Sequence, residues 1–149
     1  MTYWRYTITA AVIIGFATLL QPAAQAEIGQ IKNVGGQVFL IRNNVQQPAK
    51  AGDILEQGDV LTTGPHSNVG MTFIDNSRFS AGPNSRIELK QFRFNSTTQE
   101  GEFVTDIQRG TLAIVSGQIA KQSPEAMKVK TPTTILGVRG TTFAVKVEE

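Results

Sequence analysis

The sequence predicts an all-β domain, and three features predict it. Apolar residues alternate at period two in short runs, of which Arg86-Ile87-Glu88-Leu89-Lys90 is the clearest, with charge on one parity and apolar side chains on the other. Of the 14 glycines only Gly15 lies before Glu27, and the rest fall at irregular, strand-length intervals. Nothing after Ala26 sustains a helical period. The one local exception is Ser123-Pro124-Glu125, where a capping serine and a proline at the first helical position predict the start of a single turn. These features leave the arrangement open between a β-roll or solenoid and a sandwich.

The chain opens with a leader. Met1–Tyr6 carries Arg5 and no acid, Ile8–Leu20 is almost wholly apolar or small, and Ala24-Gln25-Ala26 forms a small-x-small cleavage site. Residues 1–26 are therefore expected to be a signal peptide and residues 27–149 a single domain, leaving no stable membrane anchor after cleavage. The apolar run is shorter than the ~20 residues a spanning helix needs.

Strands follow in order. Val38, Leu40 and Arg42 alternate with Gln37, Phe39 and Ile41, and Asn43-Asn44 offers a tight turn because asparagine tolerates positive φ. Val69, Met71 and Phe73 run to a second turn at Asp75-Asn76, from which Arg78–Ala81 returns. Phe92 and Phe94 lie on the parity opposite Ile87 and Leu89, which predicts a bulge near Gln91. Beyond the polar loop Asn95–Gly101, strands are expected at Glu102–Gln108 and Thr111–Ser116, punctuated by Gly110 and Gly117, with a final strand at Thr141–Val147. Gly52-Asp53-Ile54-Leu55 is echoed by Gly58-Asp59-Val60-Leu61, and Arg109-Gly110-Thr111 by Arg139-Gly140-Thr141. Two copies of each are too few to establish a repeat architecture.

Charge and cysteine usage exclude several function classes. The net charge of +2 falls to +1 once Arg5 leaves with the leader. Basic residues are spread among acids without a run, so neither a nucleic-acid footprint nor polybasic membrane attraction is present. With no cysteine there is no thiol nucleophile, thiolate metal site or disulfide, and ~120 residues can bury a core without one.

Candidate chemistry is sparse. His66, the single histidine, lies in a turn-rich segment beside Ser67, and Asp59 or Asp75 could orient it only through the fold. Asp53, Glu56 and Asp59 stand at three-residue spacing but lack the dense alternation of a calcium loop, so backbone acceptance in Gly-Asp turns is the expected role. No catalytic residue, cofactor or metal site is expected. Gly137-Val138-Arg139-Gly140-Thr141 has the composition of a backbone anion nest, against a plainer reading in which Arg139 pairs with an internal acid. Phe92 and Phe94 are candidates for an exposed aromatic contact surface, against a reading in which a bulge turns both into the core. The last strand could accept an added strand at its edge, against a reading in which Lys146, Glu148 and Glu149 protect that edge. Candidate interaction residues are thus Phe92, Phe94, Arg139, Gly140 and Thr141.

The closing run Thr131-Pro132 through Gly137-Val138-Arg139-Gly140-Thr141-Thr142-Phe143 resembles the end of the FecR-like domain. Gly36-Gln37-Val38, Gly58-Asp59-Val60-Leu61-Thr62-Thr63-Gly64, Asp75-Asn76-Ser77, Gly82-Pro83-Asn84-Ser85 and Arg109-Gly110-Thr111-Leu112 resemble earlier elements of that family in the same order, with Asn76 where the family usually has glycine. The resemblance implies an all-β module of the bacterial envelope, periplasmic or secreted, that carries signals by protein contact. Its implied partner is an envelope protein such as an outer-membrane receptor or a secretion component. Membrane-bound members regulate a sigma factor through a cytoplasmic segment. Met1–Thr7 is too short for a folded one, so direct anti-sigma activity is not expected. The alternative is a module that binds envelope glycan or a small anion.

Overall fold

The computed structural model describes residues 25–139 and 141–148. The segment read as a leader lies outside the described residues as far as residue 24, as do Gly140 and Glu149. No helix among the described residues is long and apolar enough to cross a membrane.

The strands are β1 (Glu27–Gly35), β2 (Val38–Arg42), β3 (Val45–Pro48), β4 (Ile54–Glu56), β5 (Val60–Thr63), β6 (Asn68–Phe73), β7 (Arg78–Ala81), β8 (Arg86–Phe94) and β9 (Gly101–Val115). A short helix, α1 (Gln118–Gln122), precedes β10 (Met127–Lys130), β11 (Ile135–Gly137) and β12 (Thr142–Val147). All pair into one curled 12-stranded sheet. It folds into two leaves that share β9. The first runs β4-β1-β6-β7-β9-β12, and the second β3-β2-β5-β8-β9-β10-β11. Pairing is antiparallel throughout except between β9 and β10.

Strand β9 makes this possible. Its 15 residues exceed the usual strand length. Residues 101–109 serve the second leaf and 110–115 the first. Gly110, at φ 88°, is the point of change. Gly110 therefore bends one strand and does not separate two, as the spacing had implied. Opposite the bend, β7 and β8 follow β9 as one interrupted partner: Ala81 faces Leu112, Arg86 faces Arg109, and residues 82–85 bulge out between them.

The leaves close on an aromatic core. Phe73 and Phe79 of the first leaf meet Phe103 of the second at ring-centroid distances of 4.7 and 5.0 Å. Phe79 lies opposite Ile114 in register yet stacks on Phe103, so the two halves of β9 face one another. Around this cluster Ile31, Leu40, Leu55, Leu61, Ile87 and Ile107 are fully buried. The bulge expected near Gln91 is present, where the register slips between Leu89 and Gln91.

The expected helical turn is displaced. Helix α1 ends where Ser123-Pro124 was expected to start one, and Ser123 is extended at φ −141°, ψ 97°. Proline disfavours helical φ and ψ in the residue before it, so the dipeptide stops the helix and opens a turn closed by the Ala126 N–H donating to the Ser123 carbonyl. The start of α1 is set by tertiary contact, the Gln118 N–H donating to the Asp75 carbonyl at 2.7 Å.

Candidate interaction surface

The short Gly/Thr/Ser motifs converge on the bend of β9. The Thr63 hydroxyl donates to the Gly82 carbonyl at 2.6 Å and accepts from the Ser85 N–H at 2.9 Å. Ser85 Oγ in turn accepts from the Thr111 N–H at 3.0 Å. The Asn84 N–H reaches the Gly64 carbonyl. A β-carbon on Gly110 would collide with Ser85. Thr62-Thr63-Gly64, Gly82-Pro83-Asn84-Ser85 and Arg109-Gly110-Thr111 are thus three sides of one hydrogen-bonded corner, and their chemistry is spent on holding the bend.

Other polar candidates are also engaged. Asp75 is fully buried and accepts from the Ser77 N–H and hydroxyl at 2.9 and 2.7 Å. Ser77 Oγ then accepts from the Gly117 N–H at 3.0 Å. Asp53 and Asp59 behave as the Gly-Asp turns predicted, each accepting the N–H three residues back, from Lys50 and Glu56. Arg42 grips Asp59 with Nε and Nη2, both at 2.8 Å, and reaches Glu56 with Nη1. The hydrogen bond to Asp59, with burial opposing, raises the Arg42 guanidinium above its ordinary pKa. His66 is exposed at φ 54° in its turn. The carboxylates that could have oriented it are held by Arg42 and Ser77 instead.

The expected aromatic surface is corrected by burial. Phe92 is 6% exposed and packs edge-to-face on Phe103 at 4.9 Å. Phe94 is half-buried against the same core. The bulge at Lys90 is the physical reason, because one extra residue returns the far parity of β8 to the inside.

The closing segment carries the chain from the second leaf to the first. Val138 is a buried plug whose N–H donates to the Met127 carbonyl. Arg139 is exposed and pairs with Glu125, whose carboxyl that hydrogen bond lowers below its ordinary pKa. A nest there would start with its cation already engaged. The exposed Thr141 accepts the Ser116 N–H on its carbonyl at 3.0 Å, which starts the β12 ladder. Gly140 lies outside the described residues.

The edge of the last strand was a candidate from sequence; what residue-by-residue reading missed is the second edge, on β11, and the groove between the two. Among the described residues β12 pairs only with β9, and β11 only with β10, so each ends its leaf with a free edge. Ile135 and Leu136 on β11 are 60% and 36% exposed. Phe143, Val145 and Val147 on β12 point inward but are only partly covered. Between the edges lies a groove of about 360 Å³ lined by Pro132, Leu136, Val145, Val147 and neighbouring threonines. The signal was the apolar Ile135-Leu136 pair after a proline, which reads equally well as core.

The fold is a two-leaf β module with a polar corner and, among the described residues, unpaired strand edges at β11 and β12. A family model described as FecR protein matches residues 59–149, more than half of the 149-residue chain, and the chain belongs to that family. At family level this places it with envelope-associated signalling regulators. The match begins at Asp59, so Gly36-Gln37-Val38 lies outside it. Comparison with curated proteins and with solved structures found no match.

Proposed function

We propose that this chain is a non-catalytic periplasmic module that acts by protein contact in envelope signalling or assembly, without direct anti-sigma activity, and that its closing edge makes the contact. One observation carries the reading: exposed Leu136 and half-covered Val145 and Val147 line one groove beside two unpaired strand edges, and the same two strands carry exposed Ile135 and half-covered Phe143. Free edges with apolar flanks are a common platform for recognition by β domains. The Thr63 and Ser85 hydroxyls of the corner and the buried aspartates, by contrast, are committed to holding the fold.

Site-specific photocrosslinking in cells tests it. Benzoylphenylalanine at Ile135 or Ala144 should give discrete protein adducts, whereas the same probe at Val45, 65% exposed on the opposite edge strand, should give none. Equal labelling at all three positions, or co-sedimentation with purified cell wall and no protein adduct, would contradict the proposal and favour the glycan-binding alternative.

A further inference from the structure

The register of β12 identifies one occupant of the closing edge. The Ser116 N–H donates to the Thr141 carbonyl, so these two form a hydrogen-bonded pair of the ladder. Hydrogen-bonded and non-hydrogen-bonded pairs alternate in an antiparallel ladder. Along the register Thr142↔Val115 to Val147↔Gly110, the backbones of Phe143, Val145 and Val147 therefore turn to β9. Those of Thr142, Ala144 and Lys146 turn outward. The far side of β9 agrees, because the Thr111 carbonyl, opposite Lys146, accepts the Gly82 N–H from the β7 side.

We propose that this outward row pairs with the same row of a second copy of the chain, antiparallel and centred on Val145. The inference rests on reading the closing edge as a contact surface and names its partner. Outward-turned residues must face outward-turned residues, which permits only registers that set even positions opposite even positions. Centring on Val145 uses the whole strand. On the inner face Phe143 meets the second copy's Val147 and the two Val145 meet each other, covering the row that is half-covered in one copy. On the outer face Ala144 meets Lys146, and Thr142 meets Glu148.

Charge selects this register over its neighbour. Centring on Lys146 would set two lysines face to face, which is destabilising across a strand pair. Centring on Val145 sets no like charges opposite each other, and within each copy Lys146 is already neutralised by Glu148 at 2.7 Å. Of the charges that could guard the edge, Lys146 and Glu148 therefore cancel locally. The two-fold axis normal to the leaf also places both β11 strands on one side of the shared sheet. The exposed Leu136 of each copy lies on that side, beside the groove next to β12. One strand pair is smaller than a standard interface of ~20–30 residues a side, so the association is weak and must be read at high concentration.

Sedimentation equilibrium of the purified chain over a concentration series tests this with three variants. Wild type should shift from monomer to dimer. Ala144→Pro removes only an outward N–H and should remain monomeric with its circular dichroism unchanged. Ala144→Lys should also be monomeric, because it sets the introduced lysine opposite Lys146 of the second copy, and Ala144→Lys/Lys146→Glu should regain the dimer by pairing opposite charges. Rescue by the double variant supports this register, since a merely structural effect of residue 144 would not be reversed by a charge at 146. A wild type that stays monomeric at several hundred micromolar, or single variants that still dimerise, overturns the proposal. A monomeric wild type that still gives Ala144 crosslinks to another envelope protein overturns self-pairing while leaving the contact role standing.

Discussion

Replacing Phe92 by alanine should remove much of this domain's stability margin, and Phe94→Ala should not. The Phe92 ring is 6% exposed, edge-to-face on Phe103 at 4.9 Å and stacked near Phe73 at 6.1 Å. Truncating a buried phenylalanine costs about 3–5 kcal/mol through lost transfer energy and the cavity left behind. Phe92 sits at the margin of the cluster, so the lower half of that range, about 3–4 kcal/mol, is expected. For a domain of this length each kcal/mol moves the thermal midpoint by about 4 °C, giving a fall of roughly 12–16 °C. Phe94 is only half-buried, and its truncation should cost about 1–2 kcal/mol by area. Urea unfolding of both variants with unchanged m-values gives the comparison. A Phe92→Ala loss below about 1 kcal/mol would show that Phe92 is a surface feature and that the bulge does not turn β8 inward, and equal losses at both positions would deny the difference in burial between them.

Other perturbations follow from the same packing. Gly110→Ala should cost about 3 kcal/mol or prevent folding, since it combines positive-φ strain with a collision against Ser85; a variant unfolding at the wild-type urea midpoint would refute the bend. Arg42→Met should cost about 2–3 kcal/mol by stranding Asp59, which is 1% exposed, somewhat less than a fully buried pair because Arg42 is 28% exposed. Asp59→Asn in the Arg42→Met background should recover part of that loss, and no recovery would contradict the pairing. The Glu125 carboxyl is lowered by its hydrogen bond from Arg139, so the contact contributes above the ordinary 4.5 and is lost as pH falls through the folded value. Arg139→Ala should move the Glu125 titration up towards 4.5 by NMR with little change in stability, because both side chains are exposed; an unmoved titration would deny the contact.

Much of the fold is legible in local sequence because β-turn chemistry is local. Asn43, Asn44 and Asn76 all take positive φ, as turn asparagines should. The Gly52-Asp53 and Gly58-Asp59 echo is one turn used twice, with positive φ at both glycines and an aspartate accepting the N–H three residues back. These two copies sit in different leaves, which is why the echo signals no solenoid. What sequence concealed was long-range. Gly110 looks like a separator until Ser85 is seen against it, and Ser123-Pro124 looks like a helix start until the Asp75 turn is seen to fix the start earlier. The corner residues read as independent turn signals because nothing local says that Thr63, Ser85 and Thr111 meet. The edge of the last strand was legible as a candidate for strand addition, but its openness was not, because alternation reports which face of β12 is apolar and not whether another strand pairs with it.

Residue-resolved amide hydrogen exchange along β12 tests the central claim most directly. In dilute protein the amides of Phe143, Val145 and Val147 should be slow and those of Thr142, Ala144 and Lys146 fast, with the fast set slowing as concentration rises. Uniformly fast exchange from Thr142 to Val147, or protection of the outward amides at every concentration, would mean that this strand does not present an open edge.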